Sequence, residues 1–409
     1  MSQSNNVEAA VKRVPMKKNI SWESLIFLLV LIGLFGTIGS RMGVVNMLNT
    51  LMNTAYALLI DTVFYIMAIA VIAGALAALL TEFGVVATIN QLLSPLMKPL
   101  YGLPGASIIG VLATYLSDNP AILTLADDVN FLRYFKKYQV PALTNIGTAF
   151  GMGLIISTFM IGIGATMGES CFGAVLIGNL GAIIGSVVSA RLMLRFTVRE
   201  FGKDAPAVDE SVTDINAIPD GYRSIRQGGV ASRAMEALLE GGKSGVGMGM
   251  AIIPGVLIIC TLIMMLSNGP GESGIYTGAA YEGVAFLPWL GGCLEFILKP
   301  LFGFTSPDAI AVPITALGAA GAAIGLVPQM AAQGLVKAHD IAVFTAMCMC
   351  WSGYLSADAA TLDTLGYRSL VARSFQCTFL GGITAGIVTH WVYAGVPALA
   401  ALFAPQPVW

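Results

Sequence analysis

Charged residues are scarce in this chain. Only 11% of its 409 residues are Asp, Glu, Lys or Arg, and the formal net charge is −2. An average globular domain carries about 25% charged residues. The mean hydropathy of +0.80 points the same way. The scarcity argues against a water-soluble domain, and no basic groove or aromatic platform indicates a nucleic-acid partner. We therefore expect a chain that is surrounded mostly by lipid.

Histidine is rarer still, because His339 and His390 are the only two in the chain. The six cysteines lie mostly within apolar runs, where cysteine behaves as a small hydrophobic residue. Cys348 and Cys350 are two positions apart, so on a helix they point to nearly opposite sides and cannot share a metal ion. The sequence therefore predicts neither a zinc site nor a bound cofactor.

Long apolar runs are abundant. Several of them approach or exceed the roughly 20 residues that a membrane-spanning helix needs. They are Ser24–Ser40, Thr62–Leu80, Pro141–Met167, Ser170–Ala190, Ser244–Leu266 and Leu370–Thr389. The first run follows a polar, basic stretch and lacks a small-residue cleavage site, which indicates an uncleaved anchor with a cytoplasmic amino end. We expect a multi-pass protein of the bacterial cytoplasmic (inner) membrane.

The two halves of the chain repeat each other. The stretch LMKPLYGL, Leu96–Leu103, recurs 201 residues later as ILKPLFGF, Ile297–Phe304. In each half, apolar residues at helical spacing lead into this stretch, which predicts an amphipathic helix at the membrane interface. An interrupted segment and two spans follow it in both halves. The predicted units are 1–53 (cytoplasmic amino terminus and first scaffold span), 54–194 (first repeat), 195–243 (cytoplasmic linker), 244–394 (second repeat) and 395–409 (carboxyl-terminal tail).

Charge decides whether the interrupted segments, Gly105–Leu132 and Ser306–Gly334, cross the membrane or turn back within it. If both turn back, all of the 21 Lys and Arg residues except Arg41, Lys299 and Lys337 lie on the cytoplasmic side. If both cross, most of these residues lie outside, against the positive-inside rule. The rule therefore favours two re-entrant hairpins. Each repeat then has three crossings and the second is inverted, which is typical of secondary transporters.

The tips of the two hairpins differ in chemistry. The first is Ser117-Asp118-Asn119-Pro120, in which the proline suits the first position of a second half-helix after an Asp or Asn cap. A carboxylate at that depth is costly and usually functional, so capping and binding both remain open for Asp118. The second tip, Gly318–Gly321, offers only backbone groups, either for close helix packing or as a gate, and Thr315 is its nearest polar side chain.

Two further spans are polar for their depth. Hydroxyls inside membrane helices often bond back to their own helix, so packing is an alternative to binding for each of them. We expect Asp118 to face Asn145 and Thr148, and Asp363 to lie near Arg368. The full predicted substrate-binding set is Ser117, Asp118, Asn119, Asn145, Thr148, Thr315, Gly318, Gly321, Ser352, Ser356 and Asp358.

This order of elements resembles that of the concentrative nucleoside transporters. The stretch KPLYGLPGASIIG, which runs into the Ser-Asp-Asn-Pro tip, is also similar to bacterial membrane proteins with a nucleoside-recognition, or gate, domain. The resemblance implies an all-α polytopic membrane protein with an inverted repeat, two re-entrant helical hairpins and two interfacial helices. It also implies an elevator-type carrier that is coupled to a cation, sodium or a proton. We expect a homo-oligomer, dimer or trimer, that assembles through Ser24–Ser40.

The function expected from these observations is secondary active transport of a small polar metabolite. Nucleoside-like substrates and small amines both remain open, because the tips lack the Glu- and Asn-bearing signatures of the nucleoside carriers. An ion-conducting gate module is an alternative. An intramembrane aspartyl protease is another, but such enzymes pair Tyr-Asp with Gly-x-Gly-Asp, whereas Asp118 follows Ser117 and Asp358 follows Ala357. We therefore expect that the protein is not an enzyme.

Overall fold

The structure is a computed structural model that describes residues 21–126, 129–208, 225–271, 274–355 and 357–403. Ser356, one of the predicted binding residues, lies outside the described residues. The regular elements of the described chain are helices, and an isolated bridge joins Lys136 to Pro206. Six described helices are long and apolar enough to cross a membrane. The protein is thus an all-helical, multi-pass membrane protein, as the composition predicts.

The first half begins with two scaffold helices that meet at Gly43, whose φ of 80° suits glycine. The second of these helices continues through a π-helical turn at Leu58–Val63. The helices of this half are α1 (Trp22–Met42), α2 (Val44–Ala57), α3 (Phe64–Glu82), α4 (Val85–Tyr101), α5 (Ser107–Leu116), α6 (Pro120–Ala126), α7 (Val129–Leu132), α8 (Val140–Phe150), α9 (Gly153–Met167) and α10 (Phe172–Phe201).

The second half has the same order of elements. Its first long helix also contains a π-helical turn, at Val256–Cys260. The helices are α11 (Val230–Gly255), α12 (Thr261–Ser267), α13 (Phe286–Phe302), α14 (Ala311–Gly318), α15 (Ala320–Ala332), α16 (Ala338–Cys350), α17 (Ala357–Thr364) and α18 (Val371–Phe403). The chain bends by 77° between α13 and the segment Pro307–Gly318, so the interfacial helix and the hairpin after it are separate elements.

Both hairpins have the predicted tips. In the first, α5 ends at Leu116 and α6 begins at Pro120. In the second, α14 ends at Gly318 and α15 begins at Ala320. The two arms pack against each other in each hairpin. The prediction of an inverted repeat with two helical hairpins and two amphipathic helices is confirmed at the level of the fold.

One span differs from its prediction. The apolar run Pro141–Met167 reads as one continuous helix, but the structure divides it between α8 and α9 at Gly151–Met152. The corresponding span of the second half is divided as well, since α16 ends at Cys350 and α17 begins at Ala357. The chain therefore presents two broken spans, and the break at Gly151–Met152 is buried.

Small residues bring the scaffold helices α3 and α11 into close contact. A Cβ atom on Gly74 would lie 2.5 Å from the carbonyl oxygen of Gly241, and one on Gly245 would overlap the backbone of Ala70. Such contacts allow helix backbones to approach closely within a membrane. At one end of this pair, Glu82 forms ion pairs with Arg226 at 2.6 Å and with Arg233 at 2.7 Å.

Candidate functional site

The tip of the first hairpin holds its carboxylate against its own backbone. Oδ1 of Asp118 accepts a hydrogen bond from the backbone N–H of Asn119 at 2.7 Å. The half-helix α6 begins at the next residue, Pro120. The bond goes to the adjacent residue, whereas a capping side chain accepts from the second or third N–H of the helix, so it fixes the turn before α6 and is not a capping bond. The neighbouring side chain of Asn119 is buried and points away from the hairpin toward the broken spans.

The breaks in the two spans lie beside the tip of the first hairpin. Helix α8 ends at Phe150, and Met152, with φ of 56°, adopts a left-handed conformation before α9 begins. That conformation costs about 1–2 kcal/mol for a residue with a side chain. Such strain persists where the surrounding structure requires it, often at ligand sites. Helix α16 similarly ends at Cys350, so the carboxyl ends of two half-helices lie beside the tip.

Two glycines make room for Asn119 between the breaks. A Cβ atom on Gly151 would overlap Oδ1 of Asn119, and one on Gly353 would overlap its Nδ2. The hydroxyl of Ser352 lies at the same place, 2.8 Å from the Cβ position of Gly151. The two broken spans come from opposite halves of the chain. Both therefore meet the first hairpin at one point.

Several buried polar atoms of the first hairpin and the broken spans lack partners. Within the described part of the chain, Oδ1 of Asn119 and Oγ of Ser352 have no hydrogen-bond partner, and the same holds for Oγ1 of Thr144 and Oδ1 of Asn145. An unsatisfied buried polar group costs about 1–3 kcal/mol. Such atoms in a native structure usually have a ligand, an ion or water as partner. The breaks thus offer oxygen atoms to a polar ligand or a cation.

A second cluster surrounds Asp358. This carboxylate is fully buried, and Thr148 donates a short hydrogen bond to Oδ1. Ser374 and Thr378 each donate to Oδ2 at 3.0 Å. No ion pair of Asp358 with Lys or Arg occurs among the residues that the structure describes. A buried carboxylate of this kind is stable only if its hydrogen bonds, a proton or a bound cation balance its charge.

Asn145 extends the cluster of Asp358 to another helix. Its Nδ2 donates to Oγ1 of Thr378 at 2.9 Å and to Oγ of Ser189 at 3.3 Å. The cluster therefore joins α8, α10, α17 and α18. All of these side chains are buried, so none of them is merely a polar surface group.

The second tip packs on the scaffold. The hydroxyl of Thr315 bonds back to the carbonyl of Ala311 at 2.7 Å, so it is satisfied within its own helix. A Cβ atom on Gly318 would lie 3.6 Å from Ile259, and one on Gly321 would lie 2.8 Å from Ile252 and 4.0 Å from Met152. The glycines thus allow close packing on α11 and its π-helical turn. They also bring this tip near the break at Gly151–Met152.

The structure brings five of the eleven predicted binding residues into two groups. Asn119 and Ser352 meet at the breaks, and Asn145, Thr148 and Asp358 share the hydroxyl cluster. Asn145 and Thr148, which the sequence predicts to face Asp118, bond instead to the cluster around Asp358. Asp363 lies 3.8 Å from Arg368, as expected.

Ser117 lies elsewhere in the site. It lines a cavity of about 530 Å³ between the first hairpin and the scaffold helices α3 and α11. Arg226 and Glu240 also line this cavity, and they form an ion pair with each other. The cavity therefore gives polar access to the first tip from the end of the scaffold that carries Glu82.

Sequence reasoning missed three members of the hydroxyl cluster, Ser189, Ser374 and Thr378. The first lies in the predicted span Ser170–Ala190 and the others lie in Leu370–Thr389. Their only sequence signal is that hydroxyl residues recur within apolar spans, which more often reflects bonds within a helix. Their importance appears only when α10 and α18 pack against α8.

Comparison with known proteins supports the fold. No protein-family model and no curated protein matches the chain. Solved structures of CNTnw, a concentrative nucleoside transporter, do match. A single-residue variant in the intermediate 1 state has 13% identity and a TM-score of 0.50, with 90% of this chain and 85% of that chain covered. The inward-facing, substrate-bound state has 14% identity and a TM-score of 0.49, with 80% and 74% covered.

The protein is therefore a multi-pass membrane protein with the fold of the concentrative nucleoside transporters. At 13% identity the likeness extends to the fold and no further. The function must be argued from the site.

Proposed function

We propose that the protein is a secondary active transporter that moves a small polar metabolite across the bacterial cytoplasmic membrane. The observation that carries the proposal is the convergence of unpartnered oxygen atoms, Asn119 Oδ1 and Ser352 Oγ, where a hairpin tip meets two broken spans. Substrate and coupling-ion sites of secondary transporters form at discontinuous helices of this kind, at the interface of two repeats. Nucleoside-like compounds and small amines are the substrate classes to test.

Cation coupling follows from the charges at this point. The carboxyl ends of α8 and α16 carry partial negative charge, and both lie beside Asn119. Ends of half-helices and unwound carbonyls are what coordinate sodium ions or protons in such transporters. Asp118 at the tip and Asp358 in the hydroxyl cluster add two carboxylates. We propose sodium or a proton as the coupling ion, bound at the breaks or at Asp358.

The elevator mechanism is a further part of the proposal. The two hairpins and the broken spans would move as one unit against α3 and α11. Small residues line the place where the second hairpin meets α11, since a Cβ atom on Gly255 would lie 3.5 Å from Ala319. Sγ of Cys260 donates a hydrogen bond across this interface to the carbonyl oxygen of Ala322 at 2.9 Å. An interface lined by small side chains would let the second hairpin slide along α11.

Oligomer formation is proposed through α1. This helix exposes most of its apolar side chains in the monomer, including Leu25, Ile26 and Phe27. Lipid or a second copy of the chain would cover them. Native mass spectrometry from mild detergent separates a dimer or trimer from a monomer, and a monomer would contradict this part of the proposal.

Transport by purified protein in liposomes tests the central proposal. Candidate nucleosides and amines are first screened by thermal unfolding with and without sodium, because a true ligand raises the melting temperature in a dose-dependent way. A hit is then followed as uptake under an ion gradient. Saturable uptake and counterflow would support a carrier. Non-saturating flux that follows the electrochemical gradient would instead indicate an ion-conducting gate module.

Asp118→Asn tests the role of the tip carboxylate. The substitution keeps an oxygen that can accept the bond from the N–H of Asn119. We expect the variant to fold with an unchanged melting temperature and to lose its cation dependence. Normal folding with unchanged cation dependence would show that Asp118 has only a structural role at the tip.

A further inference from the structure

The only two histidines of the chain are bonded to each other. Nε2 of His339 and Nδ1 of His390 lie 2.9 Å apart, and the rings are nearly perpendicular, with centroids 5.1 Å apart. The residues are 51 positions apart in the sequence, in the first turn of α16 and in α18. Both side chains are partly exposed.

The site described above lies at the other end of α16. Cys350 lies eleven positions after His339, which corresponds to about 16 Å along a helix. The histidine pair instead lies beneath the end of α13, where the chain turns toward the second hairpin. A Cβ atom on Gly303, the residue that caps α13, would overlap Nδ1 of His390 and lie 2.9 Å from Cε1 of His339.

Negatively charged groups lie near the pair. The carboxyl end of α13 points at the rings and carries partial negative charge. Two carboxylates lie at the start of α16: Asp340 accepts from the N–H groups of Thr305 and Lys337 at 2.9 Å, and Glu169 accepts from the N–H of Ala338 at 3.0 Å.

The two facing nitrogen atoms form a natural bidentate site. In the neutral pair one nitrogen carries the proton and the other accepts it, so the two lone-pair directions converge on the shared proton. A metal ion that replaces this proton needs a separation of roughly 3.3 Å between the nitrogens, given bonds of about 2.0–2.1 Å and tetrahedral geometry. The nitrogens must therefore move apart from their present 2.9 Å. Each ring must also turn by roughly 35°, because a hydrogen bond is nearly linear whereas two ligands of a tetrahedral ion meet at about 109°.

We propose that His339 and His390 bind a divalent transition-metal ion at the base of the second hairpin. Imidazole nitrogen suits zinc, copper and nickel ions. Among the described residues no group of three or more His, Cys, Asp or Glu side chains forms a metal cage, so water completes the coordination. The ion joins α16 to α18 directly beneath Gly303, and Asp340 links the same turn of α16 to Thr305. Metal binding therefore stiffens the connection from which the second hairpin extends.

Electron paramagnetic resonance with Cu²⁺ tests the assignment directly. The protein is purified with a tag that lacks histidine, and Cys293, the exposed cysteine, is replaced by serine to remove a competing thiol. We expect the spectrum of the intact pair to show coupling to two imidazole nitrogens at one copper per chain. Either single variant, His339→Gln or His390→Gln, should show one nitrogen and bind at least tenfold more weakly.

Thermal unfolding with Zn²⁺ provides the second measurement. We expect a dose-dependent rise in melting temperature for the protein with both histidines, no rise for either glutamine variant, and a normal rise for Lys337→Ala, a substitution at an exposed neighbour. Glutamine retains donor and acceptor groups, so the metal-free variants should keep their fold. Copper bound equally well by the His339→Gln/His390→Gln double variant, or no binding by the intact pair, would overturn the proposal.

Discussion

The side chain of Asn119 occupies the space into which a side chain at Gly151 would project. This contact joins the tip of the first hairpin to the break in a neighbouring span. Glycine is needed at position 151 because a Cβ atom would not fit there, and not because the backbone angles are unusual. The contact places an unpartnered oxygen, Oδ1 of Asn119, at the end of a half-helix.

Gly151→Ala should therefore displace Asn119. We expect a loss of about 1–3 kcal/mol in the free energy of unfolding from overpacking, together with loss of ligand-induced stabilisation in the thermal assay. Gly247→Ala is the matched control, because nothing lies within 4 Å of a Cβ atom there and the residue is in the middle of a helix. The control should be neutral or stabilising by up to about 1 kcal/mol. Equal behaviour of the two variants would contradict the assigned contact.

Asp358→Asn should disrupt the hydroxyl cluster. The new amide nitrogen cannot accept the hydrogen bonds that one carboxylate oxygen now accepts, so we expect a loss of about 1–3 kcal/mol in stability and altered cation dependence of uptake. Asp363→Asn, a change on the same helix at an exposed position, is the matched control and should change little. If uptake by Asp358→Asn responds to cations as before, the cluster has only a structural role.

The loop at 268–285 should make stability depend on pH. Burial alone would raise the pKa of Glu282, but hydrogen bonds from Thr277, Gly278 and Thr50 outweigh it and hold the pKa below its ordinary value. A carboxylate with a lowered pKa stabilises the fold above its ordinary pKa, about 4.3, and this contribution is lost as the pH falls through the folded-state pKa.

The measurement is the melting temperature of the unsubstituted protein and of Glu282→Gln across pH. We expect the variant to melt lower at pH 7 and the difference to shrink below about pH 4, where the native carboxyl group becomes neutral. Glu295→Gln, at an exposed residue of α13, is the comparison and should show little effect at either pH. If the difference in melting temperature stays constant with pH, the charge on Glu282 does not contribute to stability.

Membrane topology should place Lys136 and Lys337 on opposite sides. Both side chains are exposed, so each can be replaced by cysteine in a chain whose exposed Cys293 is serine. We expect a membrane-impermeant thiol reagent added outside to label position 337 and to label position 136 only after permeabilisation, since the loop at 133–137 is predicted to be cytoplasmic. Labelling of both positions from one side would contradict the inverted arrangement.

Much of the fold follows from sequence pattern because the signals are strong. Pro120 and the polar residues before it end one half-helix and begin another, and the repeat transfers that interpretation to Gly318–Gly321. The break in Pro141–Met167 has no such signal. Gly151 and Gly153 are ordinary in a membrane helix, and the left-handed Met152 between them is imposed by packing of Asn119 and Tyr115 against the two glycines.

The site is harder to predict than the fold because its partners are distant in sequence. Thr148 and Asp358 are 210 residues apart, and Asn145 and Thr378 are 233 apart. Residue type and depth identify Asp358 as unusual, but they do not say which hydroxyls will surround it. Only the packing of α8 against α10 and α18 decides that.

The ion pairs of Glu82 have a consequence for how the chain is made. This buried carboxylate ends α3, whereas its two partners, Arg226 and Arg233, lie 144 and 151 residues further along the chain. At a synthesis rate of about 5–20 residues per second, the partners emerge roughly 8–30 s after Glu82. Until then Glu82 lacks both of its arginine partners, so this end of the α3–α11 contact can form only after the start of the second half has been made.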